Sequence, residues 1–428
     1  MKNYFKILAR KLTKAVSPVG SRLWFRKTAG VYVDDTTAMQ VSAYYRGVVY
    51  VATQIAKLPW DVKDGDNKKL KRDKLHKVLN TNPNPEMSAF TFRLVMMINA
   101  INKGNSYAEI ERDLTGRVKH LWPISSDAVD VIRSPNGELL YRIAAGSVDS
   151  PGSNVYIRPK DMFHLKNFHT KDGLTGLGLV EYAAQTIGIS HSADTMAGNL
   201  FANGGLPSGV LKLQGKLSNE AFLRLTDSWK SAHGGRQSGG TAILEDGTTF
   251  EPVDLDPQVL QFLESRKFGV VEIARFLGVP PTKLFDMAHS TFSNVENANL
   301  EVATDTLDAW ARNLESEADM KLLTDNFGGK YTQLDLYAVF RGDMTTRSNY
   351  FSKMMQSGAI TPNEIREKEG MAGYDNGDKF YIAVNNFTPA DRVDDVIDSQ
   401  VSKGETDNTS SGEGDDPVAD AIVDFLKK

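Results

Sequence analysis

Between Gly178 and Asn203 the chain carries a helical pattern with no proline. Val180, Ala183, Ala184, Ile187, Ala193, Met196, Ala197, Leu200 and Phe201 recur at helical spacing. About 25 helical residues make a rod roughly 37 Å long at 1.5 Å per residue. One face of that rod is rich in Ala, Ser and Gly, which lets another helix approach closely. The rod stops at Asn203-Gly-Gly-Leu-Pro-Ser-Gly209. A second rod opens at Asp256-Pro257, where Asp can cap and Pro suits the first helical position. It reaches Leu277, with a bend expected at Gly269. The residues between read as a strand at 210–213, a helix near 219–232, a Gly/Ser loop at 233–240 and a strand at 242–244. Two rods bracketing one small insert require a separate body for them to leave and re-enter.

That body is legible upstream. Val41, Tyr44, Val48, Val51, Ile55 and Leu58 mark one amphipathic helix over 38–58, stopped by Pro59. Ser88 opens a second to Asn102, with Phe92, Val95, Met96 and Ile101 inward and Gly104 just past its end. Strands follow at 107–110, 118–122, 129–132, 139–143 and 162–165, with turns at Leu114-Thr-Gly116 and Pro135-Asn136-Gly137. The fold class is α+β.

After the second rod the chain reads ARFLGVPPTKLFDMAHSTFSNVENANLEVA (274–303). Ser293-Asn-Val-Glu296 is a capping box that launches a helix to about Leu323. Two readings are open. One is a DNA-reading helix-turn-helix over 271–290, with 282–289 as recognition helix. The other is a loop between two long helices. The segment 282–289 offers one Lys, one Asp and no Arg to base edges, which argues against the first reading.

Composition excludes more than it selects. The 428 residues include no cysteine, so disulfides, thiolate zinc sites and cysteine nucleophiles are absent. The net charge of −4 does not describe a generally basic nucleic-acid binder. No apolar run approaches a membrane span, and the basic N-terminus lacks the apolar core and cleavage site of a secretory signal. Residues 1–33 hold Lys and Arg without acid, whereas 391–428 are acidic, and 403–416 are too polar to order themselves. Both ends read either as solvated tails or as partner contacts; 418–426 have the spacing of a short docking helix. No phosphate-cradling P-loop and no Gly-x-Ser-x-Gly elbow occur. Gly173, Gly176 and Gly178 read as turn and packing positions. His164 and His169 read as structural histidines without a metal. No catalytic residue, metal or cofactor is expected.

Five segments in order carry a resemblance: PNPEMSAFTFRLVMMINAINKGNSYAEIERDLTGRVKHLWPI (82–124), MFHLKNFHTKDGLTGLGLVEYA (162–183), LFANGGLPSGVLKLQGKLSNEAFLRLTDSW (200–229), FLESRKFGVVEIARFLGVPPTKL (262–284) and TFSNVENANLE (291–301). Together they resemble the portal proteins of tailed bacteriophages. One departure is Leu177-Gly178-Leu179, where that family often has Ser-Pro-Leu. The resemblance implies a non-enzymatic ring, usually of twelve subunits, at one capsid vertex of the virion. Double-stranded DNA would pass through it without sequence recognition, driven by the large terminase subunit. Further implied partners are a head–tail adaptor, the major capsid protein and scaffold, with assembly in the host cytoplasm and no membrane.

It also implies a map: a basic arm (1–34), an α+β wing (35–176), stem helices (177–202 and 257–280), a clip (203–256), a tunnel loop (281–293), a long wing helix with return strand (294–343), a helical crown (344–390) and an acidic tail (391–428). Lys283, His289, Ser290, Thr291, Ser293 and Asn294 would then face DNA. Lys212, Lys216, Arg224, Lys230 and Arg236 would give the clip its docking charge, and Ala193 and Ala197 would pack neighbouring stems.

Overall fold

The computed structural model describes residues 17–18, 27–28, 31–147, 149–150, 152–170, 172–202, 209–212, 218–233, 249–252, 268–286, 298, 300–323, 329–336, 344–383 and 387–389. The chain divides into two compact units, Met1–Val339 and Phe340–Lys428.

The first unit begins with β1 (Ser17–Pro18), β2 (Lys27–Thr28) and β3 (Val31–Tyr32), followed by α1 (Asp35–Gln40) and α2 (Ser42–Ala56). The helix expected over 38–58 is thus two helices meeting at Val41, whose extended backbone ends the first. Asp34 starts α1 with a reciprocal cap: its carboxylate accepts from Thr37 N, and Thr37 Oγ1 accepts from Asp34 N, each at 2.8 Å. Next come β4 (Trp60–Lys63), α3 (Lys74–Asn80) and α4 (Ala89–Lys103). Ser88 caps α4, and Gly104, at φ 80°, closes it in the left-handed region. Phe92, Met96, Met97, Ala100 and Ile101 are buried; Val95 lies one helical step off that stripe and is only half-buried.

Strands β5 (Asn105–Arg112), β6 (Val118–Ile124), β7 (Val129–Arg133), β8 (Leu139–Ile143), β9 (Val155–Ile157) and β10 (Met162–Lys166) form two antiparallel sheets, ordered β10-β5-β6 and β1-β7-β8-β9. Part of the N-terminal arm is therefore tied down: Ser17 pairs with Arg133 and Pro18 with Ile132. Strand β7 otherwise ends that sheet, and an open edge is a template for pairing.

The expected first rod breaks at Ala183 into α5 (Leu179–Tyr182) and α6 (Ala184–Ala202). Leu179, Val180, Ala183, Ala184 and Ile187 are all buried in the main core. In the insert, β11 (Gly209–Lys212) pairs antiparallel with β12 (Thr249–Pro252), and α7 (Asn219–His233) lies between them in sequence. The strand expected at 242–244 lies outside the described residues. Helix α8 (268–277) returns to the body. A Cβ on Gly269 would lie 2.9 Å from Ser190 Oγ, so α6 and α8 run side by side where their side chains are smallest. Part of the small-residue face thus serves packing within the chain. A π-helical segment, Val302–Leu307, leads into α9 (Asp308–Lys321), and β13 (Tyr331–Leu334) pairs with β4.

The main core joins α2, α4, α5, α8, α9 and one face of β5, β6 and β10. A second cluster around Tyr107, Tyr141, Ile143 and Met162 seals β5 against the other sheet. The second unit holds α10 (Met344–Gln356), α11 (Pro362–Lys368) and a hairpin of β14 (Tyr381–Ala383) and β15 (Phe387–Pro389). Thr361 and Glu364 cap α11 reciprocally.

Candidate functional site

The turn after α8 is built by residues that cannot continue a helix. Gly278 adopts φ 65°, and Val279 N donates to Ala274 O at 3.0 Å. Pro280 and Pro281 follow, and Pro281–Leu284 form a single 3-10 turn. Phe285, also at φ 65°, closes it, donating its N–H to Thr282 O at 3.1 Å. This geometry overturns the helix-turn-helix reading over its described residues: the chain at 282–286 is a closed turn, not the start of a recognition helix.

The turn is pinned from two sides. A Cβ on Gly47 would lie 2.2 Å from Leu277 Cδ1 and 3.1 Å from Leu284 Cδ2, so α2 admits both leucines only because Gly47 has no side chain. Arg46 Nε donates to Lys283 O at 3.2 Å, and its guanidinium lies 4.8 Å from the Phe285 ring centre. From the other side Thr306 Oγ1, in the π-helical segment, donates to Gly278 O. Burial, then the Arg46 charge, holds the half-buried Lys283 amine below the usual lysine range. Lys283 therefore sits on the docked turn, at the root of the expected loop. His289, Ser290, Thr291, Ser293 and Asn294 lie outside the described residues.

Of the insert's cations, Lys212 and Arg224 are exposed. Lys230 falls within α7, while Lys216 and Arg236 lie outside the described residues. Ala193 and Ala197 are half-buried on α6.

Sequence reading missed the polar fastenings behind the turn. Three carboxylates on α9 accept backbone N–H groups from two strands. Glu317 takes His164 N on β10 at 3.0 Å; Glu315 takes Leu334 N and Asp319 takes Thr332 N on β13, each at 2.7 Å. Burial pushes all three carboxyls above their ordinary range. Glu315 and Asp319 are four apart and share one side of the helix, while Glu317 faces the other way. Alternation of this kind within a helix was the available signal: it places acids on each of two opposed faces.

His164 is fully enclosed. Gly176 N donates to Asn105 Oδ1 at 2.8 Å and Asn105 Nδ2 to Gly176 O at 2.8 Å, which fixes the amide. His164 Nε2 must then donate to Asn105 Oδ1 at 3.0 Å, and Nδ1 accepts from Tyr141 Oη at 3.1 Å. Burial, then the charges of Lys166 and Lys321, holds the imidazole well below its ordinary value, so it is neutral. The glycines nearby serve close packing: a Cβ on Gly176 would lie 2.3 Å from Gly104 O, and one on Gly178 2.2 Å from Asn102 O. That approach accounts for Gly178 at the start of α5. His169 stacks on Tyr182 with ring centres 5.1 Å apart. No group of three or more His, Asp or Glu poised to hold a metal occurs among the described residues. No described helix is long and apolar enough to cross a membrane.

An α+β body, two adjacent helices bracketing a small insert, and a pinned turn leading into a long helix define the portal fold. The family described as phage portal protein matches residues 42–370. The chain belongs to that family. It is 30% identical over 355 residues to the portal protein of Enterobacteria phage HK97, covering 81% of this chain and 82% of that one. The neck of an empty gene transfer agent (GTA) particle, with C6 symmetry, matches with a TM-score of 0.60 at 21% identity, over 86% of this chain and 99% of the other. The neck of a native GTA particle, with C12 symmetry, gives a TM-score of 0.57 at 21% identity, over 86% and 99%. Portal proteins are structural, ring-forming components of the virion rather than enzymes.

Proposed function

We propose that twelve copies of this chain form a ring at one vertex of a phage head. Double-stranded DNA is driven inward through its axis by the large terminase subunit and later leaves by the same path. In this reading the ring assembles in the host cytoplasm, nucleates the procapsid with major capsid protein and scaffold, and then receives the head–tail adaptor. The stem comprises 177–202 and 257–280, and the clip, 203–256, carries the docking cations Lys212, Lys216, Arg224, Lys230 and Arg236. The segment 281–293 is the tunnel loop.

The observation that carries this reading is the double pinning of the turn at 278–285, by Arg46 and Gly47 on one side and Thr306 on the other. The described residues on either side, Leu284 before and Val302 after, thereby lie in one core. A loop held in this way suits repeated contact with a sliding polymer. His289, Ser290 and Thr291 bring polar groups with little charge, which touch phosphates without sequence information. A sparse collar also avoids the grip that many phosphate contacts would create. The loop centres the duplex and hinders its backsliding, without catalysis.

Deleting 286–290 in a phage tests this. Rings and empty proheads should still form, while retained full-length genomes fall. Normal packaging and retention would reduce the loop to a connector.

A further inference from the structure

Among the described residues outside the proposed stem and clip, this acidic chain carries a concentrated basic surface. Residues 68–77 hold Lys68, Lys69, Lys71, Arg72, Lys74 and Lys77 against a single carboxylate, Asp73, and all six cations are exposed. The fold adds Arg117 and Lys119 from the β5–β6 hairpin and Lys330 from the approach to β13. Lys330 Nζ lies 2.8 Å from Asp73 Oδ2, and Lys74 Nζ lies 3.9 Å from Asp113 Oδ2. Lys68, Arg72, Lys77 and Arg117 make no ion pair among the described residues.

A cleft of about 460 Å³ opens between α3 and the start of β6. Its floor includes the buried Val78, Asn84 and Val118, and its rim carries Pro85, Lys74, Lys77 and Lys119 together with Asp113. Asn84 holds the floor rigid: its Nδ2 donates to Leu121 O at 2.8 Å, and its Oδ1 accepts from Glu86 N at 2.9 Å.

We propose that this cleft is a docking site for an acidic peptide segment bearing apolar side chains, supplied by another protein of the particle. Two features favour a peptide over a nucleic-acid backbone. An apolar floor has no use for phosphates. Asp73, Glu111 and Asp113 stand among the cations, against Lys330, Lys119 and Lys74, and would repel a continuous polyanion, whereas a mixed peptide can place its carboxylates against Lys77 in the cleft and against Arg72 and Arg117 beyond it. The site is independent of the turn and loop described above, so it stands or falls separately from the channel reading.

The test uses the full-length ring and a short fluorescent peptide of Glu and Asp carrying one Leu-Phe pair. Fluorescence anisotropy should show binding that weakens steeply with salt. The double variant Lys74→Glu/Lys77→Glu should lose about tenfold or more in affinity, since each reversal removes one attraction and adds one repulsion. A peptide lacking the Leu-Phe pair should also bind more weakly. Circular dichroism and negative-stain images confirm that the variant still folds and forms rings. Three results overturn the proposal: a random-sequence DNA duplex of equal charge binding more tightly than the peptide, no binding by either probe, or loss of rings in the variant. The last would make the surface an interface between copies of the chain.

Discussion

Arg93 closes two helix ends at once. Its Nε and Nη2 donate to Ala56 O, the last residue of α2, at 3.0 and 2.7 Å, and its Nη1 donates to Leu79 O near the end of α3 at 2.8 Å. A cation suits the negative end of a helix dipole, and here one guanidinium serves two. Burial brings it down to about 10, still charged at neutral pH. Arg93→Met keeps the packing and orphans both carbonyls. It should lower unfolding free energy by about 3 kcal/mol, measured by urea titration of the wild type and variant. His164 gives a pH signature. Its folded value is depressed below the ordinary 6.5, so its contribution is present above that pH and lost as pH falls below it. The stability difference between wild type and His164→Asn should shrink by up to about 1.4 kcal/mol per pH unit below that point. A difference that stays flat from neutral to pH 5 would refute the buried neutral imidazole. The sequence marked His164 as structural, but neither residue's partners were legible in it. A lone Arg in an amphipathic pattern and a lone His in a strand acquire partners only through contacts between residues far apart in the chain.

Helices and strands were far more legible than their fastenings. Ser88 and Gly104 bounded α4 because caps and left-handed glycines act through a few adjacent bonds. Hairpin β7–β8 followed from Pro135-Asn136-Gly137 for the same reason. Strand β4 went unread because its partner, β13, lies some 270 residues away, and no local pattern announces such a pairing. The break at Ala183 was hidden because both sides of it remain helical. Contrasting glycines test the packing argument. At Gly176 an added methyl meets the Gly104 carbonyl at 2.3 Å, whereas at Gly116, φ 81°, it meets nothing within 4 Å. Gly116→Ala should cost about 1 kcal/mol, from its backbone conformation alone. Gly176→Ala must push the two backbone segments apart and should cost about 3 kcal/mol or more. Thermal melting of the two variants decides: equal shifts would contradict the close approach. At the turn, Thr306→Val removes the bond to Gly278 O while keeping the shape. Amide exchange should accelerate at Gly278 and Val279 and remain unchanged in α4.

At the scale of the whole molecule, the order of segments carried the family and the physics of single residues did not. Five moderately specific stretches in one sequence order pointed to a portal, although none of them is a catalytic motif. The loop proposed to touch DNA could be read only from its borders, because such contact would arise at an axis that a single chain does not contain. Ala193 and Ala197 are expected to meet a neighbouring stem. Ala193→Trp or Ala197→Trp should block ring closure, seen in negative-stain images as open or incomplete assemblies. Rings of normal size from both variants would remove these residues from the interface.

Ser190 and Gly269 stand side by side where the paired helices leave the body, and Leu179, Ile187, Ile273 and Leu277 root them in its core. The two helices are thus joined to each other at the point where they leave a core that is closed beneath them. We expect a transplant cut at those two positions to exchange the intervening segment without disturbing the body. Joining Ser190 to Gly269 through a short glycine bridge should leave a free-standing wing. Lineages of such particles could in the same way trade the arm that meets new partners while keeping the body unchanged.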